Sequence, residues 1–267
     1  MNQMRAFICF LFIILMPSSQ VVAKELLSPP LKHEISFWSG EKLTYQIRYG
    51  FLLGGTTTLS LKEEVYKMNP VFHAVAIAQT TGISNTIYGV KDIYESWFDK
   101  ETNLPYKQVR NIKEGHYTLY NEVTYNQKNN TVHSELSGEH KVPEKILDLC
   151  SVFYYVRRID FSKIKEGDVV FVNMYFADEV FPFHLRFLGK ETIRTKTGKM
   201  SCFKISPVVE VGRMFKTQDD LTIWFTDNKE CLPVLVRMDL RLVGAVLMKL
   251  IQYETATDSL AVMKPNL

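Results

Sequence analysis

Three kinds of chemistry would each leave a trace in the residue order. Nucleophilic hydrolysis needs Ser, Thr or Cys beside a base, glycosidic cleavage needs two carboxyls about 5–10 Å apart, and metal binding needs several His, Cys or carboxylate donors at close spacing. The chain has no Gly-x-Ser-x-Gly elbow, no His-Glu-x-x-His, no Ser-x-x-Lys with its partner motifs, and no P-loop, EF-hand or Cys-x-x-Cys pattern. No catalytic residue and no cofactor are therefore nominated. Cys150 falls on the apolar stripe Ile146, Leu149, Cys150, Phe153 and Val156, which predicts a buried and unreactive thiol. His33, His73, His116, His133, His140 and His184 are scattered. His133, Glu135, Glu139 and His140 form the one grouping of metal-binding types, but Ser137-Gly138 turns the chain inside it, so a solvated loop is the better reading and no metal is expected. Asp92 and Glu95 fall on opposite faces of a strand, Asp219-Asp220 opens another, and Asp99 and Asp227 read as turn residues bonding their own backbone.

Aromatic residues are the remaining feature, with 17 Phe, 13 Tyr and 3 Trp. Tyr45, Tyr49, Trp97, Trp224 and Phe225 lie in or beside strands that alternate well. They either fill a β core or line a cavity that takes an acyl chain or a glycan, and they are the candidate ligand-lining residues.

The elements that would position them are mostly strands. Leu43, Tyr45, Ile47 and Tyr49 alternate with Thr44, Gln46 and Arg48, which puts the apolar side chains on one face. Gly50 and Gly54-Gly55 then mark a hairpin. Further strands are expected at 71–80, 88–98, 106–113, 116–125, 131–136, 168–176, 180–188, 190–195, 200–209, 219–226, 232–242 and 245–253, with turns at Asn69-Pro70, Glu114-Gly115 and Asn129-Asn130. Pro182 places 180–188 at an edge or a bulge. One segment, 143–158, has helical spacing and ends in Arg157-Arg158, which suits the helix dipole. A mainly β fold follows, a large antiparallel curved or barrel-like sheet whose single substantial helix covers one opening.

A faint echo runs through it. Trp97-Phe98, Asp99 and Leu104-Pro105 resemble Trp224-Phe225, Asp227 and Leu232-Pro233, with six residues from Asp to Pro in both and an offset of 128 between the aspartates. Two similar half-sheets would produce this, and so would chance recurrence of a common hairpin.

Composition sets the frame. The 267 residues carry 32 Lys plus Arg against 29 Asp plus Glu, too balanced a charge for a nucleic-acid partner. Arg5 precedes an apolar run from Ala6 to Met16, then Pro17, Ser18 and Ser19, then Val21-Val22-Ala23. That is the pattern of a signal peptide cut after Ala23, and the run is about half as long as a bilayer requires. The expected organisation is a signal peptide at 1–23, an extended lead-in at 24–38, one β domain at 39–255 and a tail at 256–267. No transmembrane segment follows cleavage. Cys150, Cys202 and Cys231 then remain, with Cys202 and Cys231 the one pair placed for a bridge that nothing in their spacing demands.

Gly40-Glu41-Lys42-Leu43-Thr44-Tyr45 with Tyr49-Gly50 and Gly54-Gly55 resembles the start of a family of exported bacterial proteins of unknown function. Asp148-Leu149-Cys150-Ser151, Gly189-Lys190-Glu191-Thr192-Ile193, Pro207 with Gly212-Arg213, and Ile223-Trp224-Phe225-Thr226-Asp227 continue the resemblance over about 38–253. It implies an antiparallel β fold of the YmcC-like type and no established activity. The functional expectation is a non-catalytic periplasmic protein of the cell envelope, peripheral to the outer membrane or free, that binds a lipid, lipoprotein or glycan on a concave β surface. An envelope hydrolase acting on glycan or peptide, and a structural interaction module using edge strands, are the alternatives.

Overall fold

The structure is a computed structural model describing residues 26–195, 198–208, 215, 217, 220–241 and 244–255; the expected signal peptide and C-terminal tail, Asp219 and Gly212-Arg213 lie outside the described residues. Period-two alternation dictates most of it. In Lys42–Tyr49, Leu43, Tyr45 and Ile47 are buried while the residues between them are not. Fifteen strands result: β1 (Leu26–Leu27), β2 (Lys42–Tyr49), β3 (Leu52–Tyr66), β4 (Asn69–Thr80), β5 (Lys91–Asp99), β6 (Pro105–Glu114), β7 (Tyr117–Asn126), β8 (Thr131–Ser134), β9 (Gly138–Lys141), β10 (Val169–Phe176), β11 (Glu179–Thr195), β12 (Gly198–Pro207), β13 (Leu221–Thr226), β14 (Pro233–Leu240) and β15 (Gly244–Glu254). They form one curved sheet in the order β1-β10-β11-β12-β13-β14-β15-β2-β3-β4-β5-β6-β7-β8-β9, antiparallel throughout except where β1 lies parallel beside β10. Two meanders, β2–β9 and β10–β15, are thus joined where β15 pairs with β2.

The sheet does not close by hydrogen bonds. Its far strands meet instead through side chains, where Val123, Tyr125 and Val132 of β7 and β8 pack on Tyr175 of β10. Asn121 of β7 donates to Asp178 in the β10–β11 turn at 3.2 Å, and Leu147 bridges to Met174 alongside β10.

The two meanders match strand for strand over six strands. Val169–Phe176 begins 127 residues after Lys42–Tyr49, Glu179 the same distance after Leu52, and Gly244 the same distance after Tyr117. Both halves carry a bulge after the tryptophan of the recurring hairpin, and both then pair Phe with Pro, as Phe98 with Pro105 and Phe225 with Pro233. The turns that follow repeat as well: Asp99 N donates to Leu104 O and Thr226 N to Leu232 O, each at 2.9 Å, with Asn103 and Cys231 both at positive φ.

Among the described residues two α-helices interrupt the strands, α1 (Gly82–Ile87) and α2 (Leu149–Arg157), with a short 3-10 helix at Phe161–Lys163. The helix expected from Pro143 starts six residues later. Asp148 is its N-cap, accepting from Ser151 N at 2.7 Å while Ser151 Oγ accepts from Asp148 N at 2.8 Å, and Leu147 before it is engaged with β10. Ser96 Oγ of β5 donates to the same carboxylate at 2.5 Å, which docks the cap on the sheet. At the other end Arg157 is wholly buried and meets both oxygens of the equally buried Glu41, at 2.5 and 2.8 Å, and also donates to Ser36 O and Glu230 O. Burial opposes the charge on Arg157, and the Glu41 carboxylate more than offsets it.

Other boundaries shift for physical reasons. The turn expected at Asn69-Pro70 is at Lys67 and Met68, which take positive φ, and Asn69 already pairs with Tyr66. Gly54 and Gly55 make no turn but lie inside β3, Gly54 as the extra residue of a bulge opposite Ile47 and Arg48, and a Cβ on Gly55 would sit 2.3 Å from Gln79 O. Segments 180–188 and 190–195 are one strand with a bulge between Phe187 and Lys190. Pro182 lies beyond the last β12 pair, Leu185 with Pro207, where β11 has only β10 beside it in the ladder and needs no second donor. Strand β9 and helix α1 have no counterpart in the sequence reading.

The concave face also holds a carboxyl pair. Asp92 is fully buried, accepts from Lys113 N at 3.1 Å, and lies beside the buried Glu114. Burial first, and the Glu114 charge second, push the Asp92 carboxyl up to about 7 from its ordinary 3.8. The folded chain keeps this proton while the unfolded chain loses it, so the contribution is complete below pH 3.8 and is lost as pH rises toward 7. The melting temperature is expected to be roughly 5 °C lower at pH 8 than at pH 5. Asp92→Asn should shrink that difference, and an unchanged pH slope in thermal melts of the variant would refute the assignment.

Candidate functional site

Helix α2 has nine residues, so it is about 13.5 Å long and too short to cover both halves of the concave face. It packs against β4, β5 and β10. Its apolar stripe also looks toward β11–β15, whose inward residues are Phe183, Leu185, Ile223, Phe225, Val236 and Met248 among others. A hollow of about 150 Å³ remains between them, lined by apolar side chains alone, including Val152, Phe153 and Val156 of the helix. A second hollow of about 60 Å³, bounded by Tyr45, Thr57, Ala76 and Cys150, adjoins it and shares Leu149, Phe153 and Met248. Phe153, Phe183 and Ile223 are only half-buried, so the larger hollow reaches the surface between α2 and the sheet.

The electrostatics are those of an oil-filled slot. No charged side chain lines either hollow, and Arg157, the charge at the end of α2, is saturated by Glu41 and two carbonyls. Burial pushes the Cys150 thiol well above its ordinary range, and its Sγ lies 3.8 Å from Tyr94 O. Such a lining gives water no hydrogen-bond partner, while hydrocarbon needs none. What the arrangement can do chemically is exclude water and hold hydrocarbon.

The five aromatics expected to line a cavity part company. Tyr45 borders the smaller hollow and Phe225 the larger. Trp97 and Trp224 face the opposite, convex side, where they occupy equivalent places in the two halves. Trp97 Nε1 donates to Glu64 at 3.0 Å and Trp224 Nε1 to Glu191 at 3.2 Å, and Lys107 and Lys204 lie over the two indoles. Tyr49 is exposed at the end of β2. Strand alternation explains the split, since neighbouring residues such as Trp97 and Phe98, or Trp224 and Phe225, point to opposite faces.

Other sequence candidates are placed as follows. Asp99 accepts from Glu101 N and Thr102 N as a turn residue should, whereas Asp227 binds Lys190 at 2.7 Å and Asn228 makes the turn bond to Cys231 N. His133 and Glu139 are opposed in the β8–β9 hairpin and border a polar groove of about 570 Å³ with Tyr66 and Tyr106, while His140 meets Ser137. His73 stacks on Trp97 and binds Glu95 at 2.9 Å. Cys202 and Cys231 are buried free thiols, raised by burial to about 12 and about 11. Among the described residues, no three His, Cys, Asp or Glu side chains converge to hold a metal, and no helix is long and apolar enough to cross a membrane. Sequence reasoning missed Phe183 and Met248; the alternation of Val236 and Met238 was visible, but not that their face would meet a gap.

A family model described as a protein of unknown function, DUF3108, matches residues 44–251. No curated protein matches. Among solved structures, a β-barrel-like protein of the domain of unknown function DUF1849 from Brucella abortus is similar with a TM-score of 0.52 at 8% identity, over 81% of this chain and 98% of that one. A DUF1089 family protein from Pseudomonas aeruginosa, at TM-score 0.38 and 9% identity over 70% of this chain and 90% of that one, is too distant to carry an argument. The first supports a barrel-like fold and says nothing of activity.

Proposed function

The chain belongs to the DUF3108 family of proteins of unknown function, and on that premise we propose that it is a non-catalytic, exported protein of the cell envelope that holds the apolar chain of a lipid or lipid-modified partner beneath α2. One observation carries the reading, the pair of adjoining hollows lined almost wholly by hydrocarbon in the concave face of a barrel-like sheet. A core selected for stability alone would fill such a gap, since lost packing costs about 24 cal/mol per Å³. Export rests on the charged start, apolar run and small residues before Ala23. The absence of a charge inside the hollow favours a hydrocarbon tail over a sugar, which would need hydrogen-bond partners there. Half-buried Phe153 and Ile223 form the entry.

Titration with cis-parinaric acid, a fluorescent polyene fatty acid, tests this. The expected result is a saturable rise in emission with one site per chain, competed by saturated long-chain fatty acid. Emission that rises without saturation, or that no fatty acid displaces, would reject the reading.

A further inference from the structure

At one end of the sheet the β2–β3 hairpin and helix α1 present large apolar side chains to solvent. Phe51 is 86% exposed, Ile83 79%, Ile87 67% and Leu52 52%. They form one surface, because Ser84 Oγ of α1 donates to Leu53 O at 2.9 Å and Thr81 N reaches Gly54 O at 3.4 Å. Helix α1 buries none of its six residues. A helix of that length has almost no stability of its own and ordinarily forms by burying an apolar face, yet Ile83 and Ile87, four residues apart and so on one face, point away from the protein.

The hairpin and α1 segments carry charge of one sign. No acidic residue occurs between Glu41 and Glu63, nor between Glu64 and Asp92, so neither segment carries a carboxylate. Arg48 and Lys91 flank the two segments. Neighbouring turns add Lys113 and His116 on one side, tied in by Gly115 N to Gly89 O at 2.8 Å, and Arg241 on the other, beside the Val246–Tyr49 pair. Of the carboxyls in the adjoining strands, Asp92 and Glu114 are buried, and Asp239, two residues before Arg241, is paired with Arg237 at 2.8 Å.

We propose that this rim docks the protein on an anionic lipid bilayer, with Phe51, Leu52, Ile83 and Ile87 entering the interfacial layer and Arg48 and Lys91 meeting the headgroups. Projecting apolar tips ringed by cations are what such an interface takes up. A flat apolar patch of mixed charge would fit a protein partner better. The inference stands on the rim and not on the hollow.

Co-sedimentation of the full chain with phosphatidylcholine vesicles, with and without phosphatidylglycerol, tests it. Binding is expected to rise with phosphatidylglycerol and fall with salt. The triple variant Phe51→Ser, Ile83→Ser, Ile87→Ser should bind roughly tenfold or more weakly, with thermal melting unchanged because none of the three side chains is in the core. Arg48→Glu with Lys91→Glu should remove the preference for anionic vesicles. Equal pelleting of wild type and both variants would overturn the proposal, as would failure of the wild type to pellet. So would sedimentation equilibrium showing a dimer that the triple variant dissociates, which would make the rim a contact between copies of this chain. Fatty-acid binding in the hollow should be unaffected by either variant, so the two proposals fail separately.

Discussion

Replacing Arg157 by alanine is expected to destabilise the protein by about 3–5 kcal/mol, a fall in melting temperature of roughly 10–15 °C. The guanidinium is wholly buried, binds Glu41 through two bonds, accepts no solvent, and is surrounded by the rings of Phe37, Phe153 and Tyr154. Removing it leaves the Glu41 carboxylate buried without a partner, and that uncompensated charge accounts for most of the cost. Two carbonyls, Ser36 O and Glu230 O, lose their donor as well. These bonds tie the lead-in before β2 and the β13–β14 turn to the end of α2, so the loss should loosen both halves of the sheet together. Glu41→Gln should cost a similar amount. The double variant Glu41→Met with Arg157→Met should cost far less than the two single losses summed, because no charge is left stranded. Calorimetric melting of the three variants checks this, and a single substitution that shifts the transition by less than about 2 °C would contradict it.

Filling the hollow is the second large effect. Val236 is buried on β14 and faces α2 across the larger gap. Phenylalanine there puts an aromatic ring into a space of about 150 Å³ without adding a polar atom. Binding of cis-parinaric acid should fall at least tenfold, about 1.4 kcal/mol or more. Stability should stay level or rise by about 0.5–2 kcal/mol, because added contacts replace empty space. A loss of stability on the order of 1–3 kcal/mol would instead show that the site is already packed tight. The combination of weaker binding with an undiminished melting temperature separates a ligand site from a packing defect.

Much of the fold was legible in the residue order, since period-two alternation is a backbone property that tertiary contacts rarely override over eight residues. Strands β2, β7, β10 and β14 were read to within a few residues. Short or interrupted elements were not. Strand β9, Gly138–Lys141, is held by pairing with β8 and has no hydrophobic pattern of its own, and α1 buries nothing. The start of α2 depended on Asp148, whose capping role the apolar stripe beginning at Ile146 concealed. The recurring Trp-Phe, Asp, Leu-Pro segment was the visible part of a correspondence that covers six strands in each half, and its remainder is hidden because the halves preserve geometry and not residue types.

The site was less legible. Tyr45 and Phe225 border the hollows, while Trp97 and Trp224 lie on the other face, because each sits one residue out of step with the inward-facing Phe98 or Phe225. Alternation tells which residues share a face. Whether that face is packed depends on the length of α2 against the width of the sheet, which is a property of the assembled fold. Asp92 and Glu114 illustrate the same limit, since they are 22 positions apart in sequence and meet only through the β5–β6 pairing.

On the proposed function, the space beneath α2 holds an apolar chain. Native mass spectrometry of the full chain, purified without detergent from cells whose envelope supplies lipid, tests it most directly. One co-purifying molecule with a long hydrocarbon chain per protein is expected, present on the wild type and missing from Val236→Phe. A wild-type spectrum with only the bare chain mass, or an adduct equally abundant on both proteins, would contradict it.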